Sequence, residues 1–427
     1  MMKEKSWMMR RKHYIVLVFA GMVILAFKLQ SFVIREETFE PQVEEPSPVP
    51  LYNPIVEIES TVHQFDSLLQ INFKNSGVVG AAAVITYKGK IALLRCYGVR
   101  KAGENDPVNK NTIFRLASVS KPMTGVLAGI LDDEHIINLD DNVSDYLPDL
   151  QLKSSESTKE LKIKHLLSHT SGLIPHTYDL MVEDHIPLDQ ILEKLNQVDI
   201  TAPPGKIYAY QNVLYSIYGP ITQTKLSESF DQVIHEKLFR PFGMTDASTG
   251  FKAFKNNKNK AYPHYNRGHN HFSPMKLNDR YYNTTPAAGI NASISDLAQF
   301  LINLTDSDSK VISERAKKTI FTPQVNSPLS RTYFRSWGKG IQSKQYSIGW
   351  RIVNYKGRTV AYHAGYVSGY KAEIALCEEE EIGIALLCNS PVGETAKNIP
   401  DFLNMIFQEK ERLALEQKKE SESNDKS

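Results

Sequence analysis

The chain has 427 residues, 41% of them apolar and 23% charged, which suits a large two-lobed globular domain or two domains. A formal charge of +2 without a basic stripe excludes a nucleic-acid binder. Three cysteines, Cys96, Cys377 and Cys388, exclude a disulfide framework; each sits in a strand-like run and reads as a small apolar core residue.

The N-terminus is basic (Lys3, Lys5, Arg10, Arg11, Lys12) and leads into "YIVLVFAGMVILAF", residues 14–27. Fourteen apolar residues match the core of a signal peptide, but no small-x-small cleavage site follows. With Lys28 snorkelling, the run continues to Ile34 and reaches spanning length. Residues 1–34 are therefore expected to be an uncleaved anchor with its basic end in the cytoplasm, a cleaved signal peptide being the alternative. Residues 35–56, with Pro41, Pro46, Pro48, Pro50 and Pro54 among glutamates, read as an extended tether. Anchor and tether together place the rest of the chain outside a bacterial inner membrane, since the leader lacks the composition of a mitochondrial transit peptide.

Apolar residues at Ile55, Ile58, Val62, Phe65, Leu69 and Phe73 predict a helix. "GAAAVITYKGKIALLRCYG" predicts two strands around a Lys88–Gly89 turn, in a sheet covered on both faces. From about 116 to 345 the pattern is helical and loop-rich. Strands return at 359–363, 370–377 and 382–389, and a last helix starts near Ala396. The expected architecture is α/β (α+β): a mixed or antiparallel sheet drawn from both chain ends, flanked by terminal helices, with an inserted helical lobe. In residue terms, a domain at 57–410 divides into a sheet lobe (57–115 and 346–410) and a helical lobe (116–345). A charged tail, 411–427, follows; its first half extends the helix and its end is expected to be disordered. A cleft is expected between the lobes.

The segment "FRLASVSKPMTG" sets Ser118 three residues before Lys121, at the head of an apolar helix marked by Met123, Val126, Leu127, Ile130 and Leu131. Helical spacing puts both on one face. A lysine shielded from water gives up its proton more readily and can take one from a serine, beside a helix N-terminus that favours an oxyanion. The plain alternative is a helix-capping serine and a solvated lysine. Two later segments bear on that choice: "YAYQNVLYSIYG", with Tyr210-Gln211-Asn212, and "AYHAGYVSGY", with His363-Ala364-Gly365.

In this order, S-x-x-K, Y-x-N and H-x-G resemble the serine β-lactamase and penicillin-binding protein family. "PVNKNTIFRLASVSK", "INLDDNVSDYLPDL", "IKHLLSHTSGL", "PPGKIYAYQN", "LFRPFGM" and "PAAGINASISDLAQF" resemble the family as well, in family order. The resemblance implies a β-lactamase/transpeptidase-like fold. It implies Ser118 as acyl-accepting nucleophile, Lys121 as its deprotonating partner and Tyr210 as proton shuttle. It implies Asn212, His363, Gly365 and Tyr366 as substrate-binding positions, with the N–H groups of Ser118 and Tyr366 as oxyanion hole. It implies no cofactor and no metal. The H-A-G triplet departs from K-T-G: a histidine is mostly neutral at pH 7, and alanine removes a hydroxyl that could hold a carboxylate. The expected activity is a Ser118 acyl-enzyme hydrolase acting on an ester, an amide or a D-amino-acid (peptidoglycan-like) peptide. The alternatives are a β-lactamase or DD-carboxypeptidase, and a catalytically silent envelope scaffold.

Two histidine groups invite a metal reading. His264, His269 and His271 in "YPHYNRGHNHFSP" have no acidic or cysteine partner nearby and read as a solvated loop. His165 and His169 lie in "HLLSHTSGL", a scaffold stretch in the resembled family.

Overall fold

The structure, a computed structural model, describes residues 57–327, 334–391 and 397–424. The expected anchor and the tether lie outside the described residues. Among the described residues, no helix is long and apolar enough to cross a membrane.

The main sheet is eight-stranded. Its N-terminal strands are β1 (Gly80–Tyr87) and β2 (Lys90–Gly98). Its C-terminal strands are β8 (Val325–Asn326), β9 (Ile341–Tyr346), β10 (Arg351–Tyr355), β11 (Arg358–Val367), β12 (Tyr370–Cys377) and β13 (Ile382–Cys388). The order is β2-β1-β13-β12-β11-β10-β9-β8, and all the pairs are antiparallel. The two ends of the chain meet where β1 pairs β13, from Ala81 opposite Cys388 to Tyr87 opposite Ile382.

Every residue of β1 is buried, as a strand covered on both faces requires. The side chains of β1 alternate between two cores. Ala81, Ala83, Ile85 and Tyr87 face the terminal helices α1 (Glu59–Ser76) and α5 (Asn398–Asn424), where the Phe65 and Phe402 rings lie 5.1 Å apart. Ala82 and Val84 face the larger core, with helices α2 (Ser120–Asp133) and α4 (Ile294–Thr305). Helix α4 starts with a capping box in which Ser293 Oγ accepts from Asp296 N at 3.1 Å and Ser293 N donates to Asp296 Oδ2 at 2.8 Å.

A small three-stranded sheet ties this helix to the Ser118 segment. It joins β3 (Phe114–Arg115), β7 (Ile290–Ala292) and β4 (Ser248–Thr249), with β7 in the middle. A hairpin of β5 (His264–Asn266) and β6 (Phe272–Pro274) lies in the expected loop region.

The structure differs from the sequence expectations in several places. The sheet lobe starts earlier than residue 346, because β8 and β9 join its edge; their polar, half-exposed pattern is that of edge strands. The last helix runs through the charged tail to Asn424, where Arg412 pairs with Glu409 and Glu416 at helical spacing. His264 is not solvated: it is fully buried, with Nδ1 bonded to the Asn389 carbonyl and Nε2 accepting from Ala102 N.

Candidate active site

Ser118 lies in a single 3₁₀ turn, Ala117–Val119, just before α2. Ala117 holds the left-handed backbone at φ 48°, a strained conformation for a residue with a Cβ. Strand β7 pins both sides of this turn: Leu116 N donates to Ile290 O, and Ile290 N donates to Ser120 Oγ, each at 3.0 Å. The capping position of α2 belongs to Val119, and no side chain caps it. The Ser118 hydroxyl is thus left for other work, and its Oγ accepts from the phenolic O–H of Tyr210 at 2.9 Å.

Lys121 is fully buried, not solvated. Its Nζ donates to Asn212 Oδ1 at 2.8 Å and to the Ala287 carbonyl at 3.1 Å, and lies 4.6 Å from the Tyr210 ring centroid. Burial holds its pKa well below the usual lysine range; Asp179 opposes that shift and Arg351 adds to it. A neutral amine has two N–H bonds and a lone pair. Asn212 and Ala287 take both N–H groups, which leaves the lone pair for an incoming proton.

Tyr210 and Asn212 belong to a stretch clamped by His169. Ala209 N donates to His169 O at 2.7 Å, and Gln211 N donates to His169 Nδ1 at 3.2 Å. The buried His169 ring packs against Tyr208, Tyr210, Tyr215 and Tyr346. Burial depresses its pKa, so it stays neutral. Asn212 precedes the Val213–Ser216 helix without capping it. Its side chain bridges two partners: Oδ1 accepts from Lys121, and Nδ2 donates to Asp179 Oδ2 at 3.0 Å.

The H-A-G triplet lies within β11. The expectation that His363 contacts substrate meets a different placement: its side chain is fully buried and does not line the cavity. Nε2 pairs with the Tyr346 hydroxyl at 3.2 Å and Nδ1 with the Ala364 carbonyl at 3.0 Å. Burial holds it neutral, with Arg351 and Lys121 adding to the effect. Gly365 has no side chain to offer a ligand; it sits against the backbone of the Ser118 turn. Tyr366, 63% exposed, does line the cavity.

That cavity, of about 610 Å³, opens over Ser118. Tyr210, Asn212, Asp179, Glu183, Arg280 and Tyr366 are among its walls. Sequence reasoning missed Asp179, which belongs to a five-residue helix, α3 (Asp179–Glu183), without a motif. It also missed Arg351, a buried β10 residue whose Nη1 donates to Tyr208 Oη at 2.9 Å and whose guanidinium lies 5.5 Å from the Tyr210 ring centroid. Among the described residues, no group of three or more His, Cys, Asp or Glu is placed to hold a metal ion.

The sheet drawn from both chain ends, the helical lobe and the Ser118–Lys121–Tyr210 cluster at their junction define a β-lactamase/transpeptidase-like protein. The chain belongs to the beta-lactamase family, whose model matches residues 59–403. It is 25% identical over 340 residues to Protein flp of Staphylococcus aureus (strain MRSA252), covering 76% of this chain and 62% of that one. It is 24% identical over 338 residues to Beta-lactamase-like protein 4 of Dictyostelium discoideum, covering 75% of this chain and 58% of the relative. The chain thus spans about three fifths of the length of these relatives.

Among solved structures, it is similar to the octameric penicillin-binding protein homologue from Pyrococcus abyssi. That match has a TM-score of 0.70 and 20% identity, over 81% of this chain and 77% of the other. EstCE1, a hydrolase with promiscuous acyltransferase activity, matches with a TM-score of 0.65 and 19% identity, over 81% and 98%. The beta-lactamase/D-alanine carboxypeptidase from Yersinia pestis matches with a TM-score of 0.65 and 18% identity, over 83% and 99%. At these identities the structural likenesses establish the fold.

Proposed function

We propose that the protein is a serine hydrolase that forms an acyl-enzyme on Ser118, with an ester, an amide or a D-amino-acid peptide as substrate. The observation that carries this reading is the 2.9 Å hydrogen bond from Tyr210 to Ser118 Oγ beside a buried, fully hydrogen-bonded Lys121. A scaffold has no need of a buried amine next to a strained serine turn.

In the reaction, Ser118 Oγ attacks the carbonyl carbon as its proton passes to the Lys121 amine. The C–O bond to Ser118 forms, and the carbonyl oxygen takes the negative charge, held by the N–H groups of Ser118 and Tyr366. Collapse expels the alcohol or amine, which takes its proton from Tyr210; Lys121 returns a proton to Tyr210. Water then repeats the sequence on the acyl-enzyme, releasing the acid and free Ser118.

The buried, neutral His363 supports ester, amide or peptide substrates over those that need a cation from the third motif. A β-lactamase or DD-carboxypeptidase is a second reading. It draws on Arg280, which lines the cavity and would meet a substrate carboxylate. On the basic and apolar N-terminal sequence, we place the catalytic domain outside a bacterial inner membrane, on a single anchor.

Intact mass of the full chain after incubation with an activated ester or a penicillin, alongside Ser118→Ala, tests these readings. Ester consumption lost in the variant supports the hydrolase. A lasting penicillin adduct on Ser118 favours the second reading. Inert, folded protein would overturn both in favour of the scaffold.

A further inference from the structure

Asp179 opens helix α3, three residues after His176; His176 and Tyr178 both hold left-handed backbones, at φ 60° and 61°. Its Oδ2 accepts from Asn212 Nδ2 at 3.0 Å and bonds His176 Nδ1 at 2.8 Å. On the far side of the Asn212 amide, Oδ1 accepts from Lys121 Nζ at 2.8 Å. An ionised carboxylate only accepts hydrogen bonds, so it demands the amide NH₂ group. The amide oxygen is then forced toward the lysine. The flipped amide would set oxygen against carboxylate, losing that bond, and would point its NH₂ group at the Lys121 lone pair that must receive the serine proton.

Resting on the hydrolase reading above, we infer that Asp179 is a positioning residue for Lys121. It locks the Asn212 amide with its oxygen toward the lysine and keeps a negative charge one amide away from the amine. It thereby sets the pH at which the lysine becomes a base.

The groups around Lys121 allow the sign to be worked out. The Tyr210 and Tyr215 rings stand 4.6 and 5.5 Å from Nζ. Arg351 approaches from β10, and the buried His169 and His363 lie close enough that a protonated Lys121 would oppose their own protonation. Burial is the dominant influence on Lys121 and favours the amine; Arg351 favours it too, while Asp179 favours the ammonium. Removing the Asp179 charge therefore makes Lys121 a base at lower pH. Asp179→Asn keeps an oxygen that can accept from Asn212 and removes the charge alone. Asp179→Ala removes the acceptor as well.

The test is the rate at which a fluorophosphonate phosphonylates Ser118 in the full chain, between pH 5 and 10, with Ser118→Ala as blank. The Lys121 Cε resonance, identified by its loss in Lys121→Arg, is titrated in parallel. Asp179→Asn should move the acid limb and the Cε titration down by about half to one pH unit. Asp179→Ala should also slow labelling about tenfold at the optimum. A purely structural Asp179 would lower rates without moving either titration, and that result would overturn the inference. If Ser118 in wild type resists the reagent while the Cε titration still moves in Asp179→Asn, the coupling stands and the hydrolase reading falls.

Discussion

A Cβ added at Gly365 would stand 2.8 Å from the amide nitrogen of Ser118 and would press on the Leu116 carbonyl oxygen. The glycine of the third motif is thus the backbone seat of the serine turn. Strand β11 can lie against that turn only where it carries no side chain. Gly365→Ala should shift the turn, destabilise the fold by about 1–3 kcal/mol and slow acylation of Ser118 about 100-fold. Thermal unfolding and fluorophosphonate labelling check the two effects. A variant that labels at the wild-type rate would refute this account of the glycine.

Lys121 gives folding a pH dependence of its own. Its folded pKa is depressed by burial, whereas in the unfolded chain it titrates near the usual value of about 10.4. Between those two values the unfolded state binds the extra proton, so stability rises with pH through that window, by at most about 1.4 kcal/mol per pH unit. Lys121→Met should flatten this slope and cut Ser118 acylation by about 10²–10⁴. Urea unfolding at several pH values between 7 and 10 measures the slope; an unchanged slope would count against a buried neutral amine.

His169 and His363 act at the acid end. Burial depresses both below about 6.5, so each binds a proton more readily in the unfolded state. Stability should therefore fall as pH drops below about 6.5, by up to about 1.4 kcal/mol per pH unit for each histidine. Burial depresses His165 and His264 as well, so His363→Gln, which can still meet Tyr346, should remove only the share of one histidine from the slope, up to about 1.4 kcal/mol per pH unit. Denaturation curves at pH 5 and 7 decide it: equal slopes in variant and wild type would show that His363 does not titrate on unfolding.

Tyr366 stands 63% exposed at the cavity mouth, where bulk limits access without supporting the core. Tyr366→Ser should leave the melting temperature within about a degree. It should lower KM for esters with bulky acyl groups by about three- to tenfold, with little effect on acetyl esters. Steady-state kinetics over a series of acyl chain lengths would sink the prediction if both classes moved alike.

The chemistry-bearing residues were legible because their spacing is local or their order along the chain is informative. Ser118 and Lys121 lie three apart, and Tyr210 and Asn212 share one short segment. Strands β1, β2, β12 and β13 announced themselves by unbroken apolar runs. Burial of polar groups is a tertiary property and stayed hidden. His363 and His264 read as contact and loop residues, yet neighbours from distant segments, Tyr346 and Asn389, enclose them. Strand β10 passed unnoticed because it opens with an arginine, and nothing local reveals that Arg351 is buried against Tyr208. Asp179 gains its meaning only from the amide of Asn212, 33 positions further on.

Pairing of β1 with β13 also imposes a schedule on synthesis. With Ala81 bonded across to Cys388, β1 leaves the ribosome long before its partner, by on the order of tens of seconds at ordinary elongation rates. Until then its apolar faces have only the β2 hairpin and nascent helices for cover, and holdase chaperones have their opportunity. The same delay applies to β11, so the serine turn is translated well before its glycine seat exists. Ribosomes that stall before Ile382 would release a chain with an open sheet edge, a substrate for proteolysis instead of a smaller working domain.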